Sequence, residues 1–220
     1  MSAEGRKRIC LFGGTFDPIH TAHLRVASEA LNAYKLDEIL FLPAANPPHK
    51  DSETLTDFMD RLRMVEIACE GHPAFRVSRL EAGTERSYTI DTLERFRAKL
   101  GSNDELFFLI GADAFAEIRT WKRWKDVIRL VEFIVVSRPG VDYRIPEGSR
   151  VLRLDGIDLP VASTAIRSRI AAGEATPELP DAVRRYIDAN GLYRTLRAPI
   201  PASRLKSQIR KSGGVGPKAN

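Results

Sequence analysis

The 220-residue chain has no run of about 18 apolar residues, which excludes a transmembrane helix. Its basic start, Arg6-Lys7-Arg8, is followed by only four apolar residues, Ile9-Cys10-Leu11-Phe12, too few for the core of a secretory signal. There are two cysteines, Cys10 and Cys69, and they form neither a disulfide framework nor a metal-type spacing, so a cytoplasmic protein is expected. No internal repeat is visible. Acidic residues are missing altogether from 197–220, which carries Arg197, Arg204, Lys206, Arg210, Lys211 and Lys218. Removing those six leaves 28 basic against 29 acidic residues, so the net charge of +5 belongs to the tail and not to the rest of the chain. The folded part is therefore not expected to bind nucleic acid. With 43% apolar and 29% charged residues the composition is that of an ordinary globular protein, and the length suits one domain.

Histidines are scarce too, only four, and two of them fall in one stretch: Gly13-Gly14-Thr15-Phe16-Asp17-Pro18-Ile19-His20-Thr21-Ala22-His23. An apolar run over 9–12 reads as a buried strand before it, and the spacing predicts a helix over 24–34 after it. Paired glycines permit close backbone approach and conformations closed to other residues. A helix start offers unpaired N–H groups and the positive end of its dipole to phosphate. Residues at i, i+3 share a helix face, so His20 and His23 can address the same oxygens. The glycine spacing is wrong for a dinucleotide fingerprint, the P-loop pattern is absent, and nothing nearby completes a metal site around the histidines.

G-G-T-F-D-P-x-H-x-x-H resembles the signature turn of the nucleotidylyltransferase superfamily, T/S-F-D-P-x-H-x-G-H, with Ala22 standing where glycine is usual. The resemblance implies attack of a phosphate on the α-phosphorus of a nucleoside triphosphate, with release of pyrophosphate. Alanine favours helix, so the helix is expected to survive the replacement.

Further along, a second strand over 38–42 leads into Pro43-Ala44-Ala45-Asn46-Pro47-Pro48-His49-Lys50, a loop stiffened by its prolines. A helix follows over 55–70, stopped by Gly71, and then an alternating strand over 75–80. Ser87 reads as the cap of a helix reaching Leu100. The nearly continuous apolar run over 105–110 fits a central parallel strand, with Gly111-Ala112-Asp113 at its carboxyl end, where open α/β sheets bind ligands. Asp113 there suits ribose hydroxyls. Trp124, Val127, Ile128 and Val131 have helical spacing that places Trp124 in the core, and Trp121 sits at the junction before that helix. A strand over 132–136 ends in Ser137-Arg138-Pro139-Gly140, and 151–154 reads as an edge or last strand. Ser163 reads as a helix cap, with Thr164 in the first turn and Arg167 one turn in, a second anion site. A final helix lies within 177–191.

Several of these stretches resemble bacterial-type nicotinate-nucleotide adenylyltransferases: P-x-x-x-P-P-H-K, S-Y-T-x-x-T-L, G-x-D, T-W, R-P-G, an I-S-S-T-x-I-R-like motif with Ala162 for its first serine, and the closing V-x-x-Y-I-x-x-x-G-L-Y. The resemblance runs from about Lys7 to Arg194. It implies a doubly wound, Rossmann-like α/β fold with a parallel sheet and helices on both faces. It also implies transfer of AMP from ATP to nicotinate mononucleotide, giving deamido-NAD. Gly13, Gly14, Thr15, Phe16, His20, His23, Gly111, Asp113, Ser163, Thr164 and Arg167 are the expected ATP contacts. Lys50, Thr89, Trp121, Lys122 and Arg138 are the expected mononucleotide contacts. His20, His23, Lys50 and Arg167 form the expected catalytic set. Mg²⁺ is expected, held mainly by phosphates rather than by protein side chains. Nicotinamide mononucleotide or another phosphate acceptor is the alternative substrate. A nucleotide-binding protein whose tail docks to RNA or a partner is the non-enzymatic alternative. Residues 1–196 are expected to form the catalytic domain and 197–220 a disordered basic tail; homo-oligomerisation is left open.

Overall fold

The computed structural model describes residues 6–47, 55–83, 88–137, 140–157 and 161–194. The tail over 197–220 lies outside them. Six strands form one parallel sheet: β1 (Arg8–Gly14), β2 (Glu38–Pro43), β3 (Phe75–Val77), β4 (Glu105–Gly111), β5 (Glu132–Val136) and β6 (Arg150–Leu154), in the order β3-β2-β1-β4-β5-β6. The order reverses direction between β1 and β4, as in a doubly wound sheet, and that is where such sheets bind ligands.

Alternation along the strands divides the core in two. Cys10, Phe12, Phe41, Phe107, Leu109 and Ile134 face one side. There they meet Ala27 and Ala30 of α1 (Thr21–Ala33) and Met64 and Val65 of α2 (Phe58–Cys69). Leu11, Leu42, Phe108, Ile110, Phe133 and Val135 face the other. They meet Ile90 and Leu93 of α3 (Thr89–Arg97), Phe115 of α4 (Ala112–Ala116), and Val127 and Ile128 of α5 (Trp124–Leu130). Ile166 of α6 (Ser163–Ala172) and Val183 and Ile187 of α7 (Asp181–Asn190) join the first side. Both faces are covered, which is why the central strands read as continuous apolar runs.

The predicted elements recur with shifted ends. β3 stops at Val77, three residues short of the predicted end, because the Ser78 hydroxyl accepts from the Leu80 N–H at 3.1 Å and turns the chain. α1 begins at Thr21, three residues early, and stays intact through Ala22, which is 6% exposed. α4 and a 3-10 turn (Ile118–Thr120) were not anticipated. Gly71 and Gly191 adopt positive φ just beyond α2 and α7, the helix-stop geometry glycine favours. Trp124 is only half-buried, packed at the margin of the second core. Burial pushes the thiols of both Cys10 and Cys69 well above their ordinary pKa, so neither is poised to react. No helix among the described residues is long and apolar enough to cross a membrane.

Candidate active site

Two residues beyond the Phe12–Leu109 pair, β1 and β4 reach Gly14 and Gly111, so both strands end in glycine at the switch point. The reason for the glycine pair is space. A Cβ on Gly13 would sit 3.2 Å from the Phe108 ring, and one on Gly14 would sit 2.8 Å from the Phe16 ring. Neither Gly13 nor Gly14 is at positive φ, contrary to the expectation that glycine supplies an unusual conformation here. That conformation falls on Phe16, at φ 49°, whose ring is buried beneath the turn.

The turn continues through Thr15, Asp17 and Pro18 to His20, the extended N-cap of α1. The His20 N–H donates to Nδ1 of His23 at 3.2 Å. An accepting Nδ1 assigns the His23 proton to Nε2, so a neutral ring presents a donor on its far edge. The two rings stack with centroids 3.8 Å apart and planes 27° apart. His20 is 4% exposed and His23 half-buried, with the His23 ring edge-on to Phe16 at 5.1 Å. The sequence thus placed both histidines correctly on one face of a helix start.

α6 packs its N-terminus onto the same turn. The Ser163 hydroxyl donates to the Pro18 carbonyl at 3.0 Å, and Arg167 Nη1 donates to the Asp17 carbonyl at 2.7 Å. Ser163 is therefore the first helical residue and not the cap, a role taken by Ala162 in extended conformation. The hydroxyl proton is already committed to Pro18, so an anion here meets the backbone N–H groups, Thr164 and the guanidinium. Thr164 is exposed, and the Arg167 side chain is 31% exposed.

Asp17, quoted in the motif but assigned no role from sequence, is 2% exposed and organises this corner. It accepts from the Tyr193 hydroxyl at 2.6 Å and from the Thr56 N–H at 3.4 Å, with Arg167 Nη1 3.9 Å away. Burial, and then the Asp17 charge, push the Tyr193 pKa far up, so the phenol stays a donor. Glu178 is a second residue sequence reasoning missed. Its carbonyl accepts from the Thr21 N–H at 2.8 Å, directly after His20. Its carboxyl pKa is lowered chiefly by the hydrogen bond from Arg169, against the effect of burial, and attraction to His20 adds to the lowering. Only its place just before Leu179-Pro180 hinted at a fixed position.

A second group lies across Phe108. Trp121 is half-buried and meets the Phe108 ring edge-on, with centroids 6.1 Å apart and planes at 81°. Phe108 is the ring that Gly13 makes room for, so it links the glycine turn to Trp121. Thr89 is half-buried and begins α3. The Lys122 ammonium pairs with Asp91 at 3.1 Å and lies 4.3 Å from the Tyr88 ring centroid, joining the Trp121 loop to α3. Gly111 caps α4, and Asp113 lies exposed in its first turn. Lys50 and Arg138, together with His49 and Ser87, lie outside the described residues. Among the described residues, no three His, Cys, Asp or Glu side chains converge so as to hold a metal ion.

The cytidylyltransferase-like family matches residues 11–169. A protein of Solibacter usitatus named "probable nicotinate-nucleotide adenylyltransferase" is 54% identical over 186 residues, spanning 84% of this chain and 99% of its own length. The nicotinate-nucleotide adenylyltransferase of Bacillus subtilis is 40% identical over 189 residues, spanning 85% and 98%. Among solved structures, nicotinic acid mononucleotide adenylyltransferase of Plasmodium falciparum complexed with NaAD superposes with a TM-score of 0.72 at 23% identity, over 86% of this chain and 98% of that one.

Proposed function

The chain belongs to the nicotinate-nucleotide adenylyltransferase family, and from that premise we infer that it transfers AMP from ATP to nicotinate mononucleotide, forming deamido-NAD and pyrophosphate in NAD biosynthesis. It is a nucleotidyltransferase. The observation that carries the reading is the stacked His20–His23 pair at the start of α1, beside the glycine end of the strand at the switch point.

The reaction needs no covalent enzyme intermediate. An oxygen of the mononucleotide phosphate bonds to the α-phosphorus while the bond to the bridging oxygen of pyrophosphate breaks. That nucleophile is largely ionised at neutral pH, so the protein supplies position and charge stabilisation rather than a base. His23 Nε2–H and His20 donate to oxygens of the α- and β-phosphates. Thr15 and the Phe16 backbone brace the α-phosphate. The α6 N-terminus, with Thr164 and Arg167, holds the departing pyrophosphate. Gly13, Gly14 and Gly111 leave room for the nucleotide, and Asp113 accepts from its ribose. Trp121 stacks on the pyridine ring, with Thr89 and Lys122 beside it. Lys50 and Arg138 complete the mononucleotide site as phosphate contacts.

The family's chemistry calls for a divalent cation. The described side chains form no cluster suited to a resident metal, and Mg²⁺ enters as part of the ATP complex, bound by phosphates and water. A cytoplasmic location, a catalytic domain over residues 1–196 and a separate basic tail over 197–220 are parts of the same proposal.

Pyrophosphate release with ATP and Mg²⁺, measured side by side with nicotinate and nicotinamide mononucleotides, tests the reading. Strong preference for nicotinate is expected. Equal rates would discard the Trp121 region as the source of selectivity for nicotinate, and no release with either would reject the substrate class. Trp121→Ala is expected to raise the KM for the mononucleotide by about 10- to 100-fold, the usual range for losing one aromatic–base stack. The KM for ATP should barely move, and an equal rise for both substrates would argue against stacking.

A further inference from the structure

We propose that Arg61 is a positioning residue that locks the nucleotide turn to the loop after β2, so that ATP and the mononucleotide meet one rigid floor. The proposal rests on the reaction inferred above but assigns a residue that reading does not use.

Arg61 lies on the apolar face of α2 among Leu62, Met64 and Val65 and is 1% exposed. A charged head removed from water is strongly unfavourable unless its donors are satisfied. Here the guanidinium fork is spread over four backbone carbonyls. Nη1 donates to Thr15 at 2.8 Å and to Ala44 at 2.7 Å, Nη2 to Ala45 at 3.1 Å, and Nε to Thr56 at 2.9 Å. These carbonyls come from three places: the turn after β1, the loop leaving β2, and the lead into α2. Thr56 is held at both its backbone groups, since its N–H reaches Asp17. Burial lowers the guanidinium pKa, and the Asp17 carboxylate opposes that loss; an arginine so placed stays charged.

The consequence for the site follows from peptide geometry. In a planar trans peptide the carbonyl and the following N–H point in opposite directions. Pinning the Thr15 carbonyl onto Arg61 turns the Phe16 N–H away from α2, toward the face where the α-phosphate is proposed to lie. Pinning Ala44 and Ala45 likewise turns the amides of Ala45 and Asn46 away from the guanidinium. Ala44 and Ala45 precede Pro47-Pro48-His49-Lys50 in the sequence, the stretch proposed above to serve the mononucleotide, so one buried fork aligns peptides at the start of both substrates' loops. A lysine ammonium keeps the charge but cannot span four carbonyls from a planar fork.

Arg61→Lys is the test, with Arg61→Gln as a second variant should lysine fail to fold. Kinetics are measured below the melting temperature of each variant, and affinity for a non-hydrolysable ATP analogue is measured apart from turnover. The expected result is a loss on the order of tenfold in ATP-analogue affinity, with a similar rise in the mononucleotide KM, as for losing one charge-assisted bond. A variant with lowered Tm but wild-type kinetic constants would overturn the proposal, because Arg61 would then only hold the fold. A loss confined to one substrate would overturn the lock between loops. The inferred reaction fails separately: if the wild-type protein turns over neither mononucleotide, that reading falls, while equilibrium binding still decides the lock, a matched loss of affinity for the ATP analogue and the mononucleotide supporting it and a loss for one alone overturning it.

Discussion

Replacing His23 with alanine lowers kcat by about 10²- to 10³-fold, the range seen when one donor to a developing negative charge is removed, while the KM for ATP changes only modestly. The asymmetry comes from how the ring is held. His23 Nδ1 accepts from the His20 N–H at 3.2 Å, so the donor is Nε2–H, on the far edge. Charge builds on the phosphate oxygens as the bridging bond breaks, and a fixed donor contributes more there than in the ground state. The other ATP contacts proposed above would remain, so its binding should survive. The substitution also removes the partner of a backbone N–H and an edge contact with Phe16 at 5.1 Å, and Tm should fall by a few degrees. His23→Gln separates the two effects. A side-chain amide keeps an N–H donor, so it should recover part of the rate, whereas packing loss alone would give no recovery. Unchanged turnover in His23→Ala would remove the residue from the chemistry.

What made His23 legible in the sequence was locality. The strand, the glycines, the helix start and the i, i+3 histidines all lie within fifteen residues, and each follows from short-range rules. The same holds for the sheet: β1, β2, β4 and β5 are apolar runs bounded by turn residues, and both their faces are covered. Contacts across the chain were not legible. Ser163 looked like a cap because serine usually serves its own helix, yet its partner is Pro18, 145 residues away. Of the two uses expected of Gly13 and Gly14, close approach and unusual conformation, the second does not apply, since neither is at positive φ and a Cβ on either would meet the ring of Phe108 or Phe16. α4 spans five residues, too few for a helical period to register. Arg61 did leave a signal. It shares the apolar stripe of Phe58, Leu62 and Val65, and a lone cation on such a stripe must find buried partners. Nothing local indicated that these would be carbonyls from the turn after β1 and the loop after β2.

Arg167→Ala is the other large effect, and it bears on whether α6 belongs to the triphosphate. Arg167 spans two jobs. One amino group donates to the Asp17 carbonyl at 2.7 Å, which braces the turn. The side chain is also about one third exposed, at 31%, beside the N-terminus of α6, where a departing pyrophosphate would be held. Loss of a charge-assisted contact of 1.5–3 kcal/mol corresponds to roughly 10- to 150-fold. That loss is expected in kcat/KM for ATP and in the pyrophosphate KM of the reverse reaction, with the mononucleotide KM nearly unchanged. If bracing were the whole role, the Asp17 turn would loosen under both substrates and Tm would fall together with both affinities. Arg167→Lys sharpens the distinction, because an ammonium still offers charge to pyrophosphate as a point contact. It should restore part of the ATP kinetics even if it misses the Asp17 carbonyl. A defect selective for the mononucleotide would mean that α6 faces the other substrate, and the assignment of the α6 N-terminus, Thr164 and Arg167 to the triphosphate would fall with it.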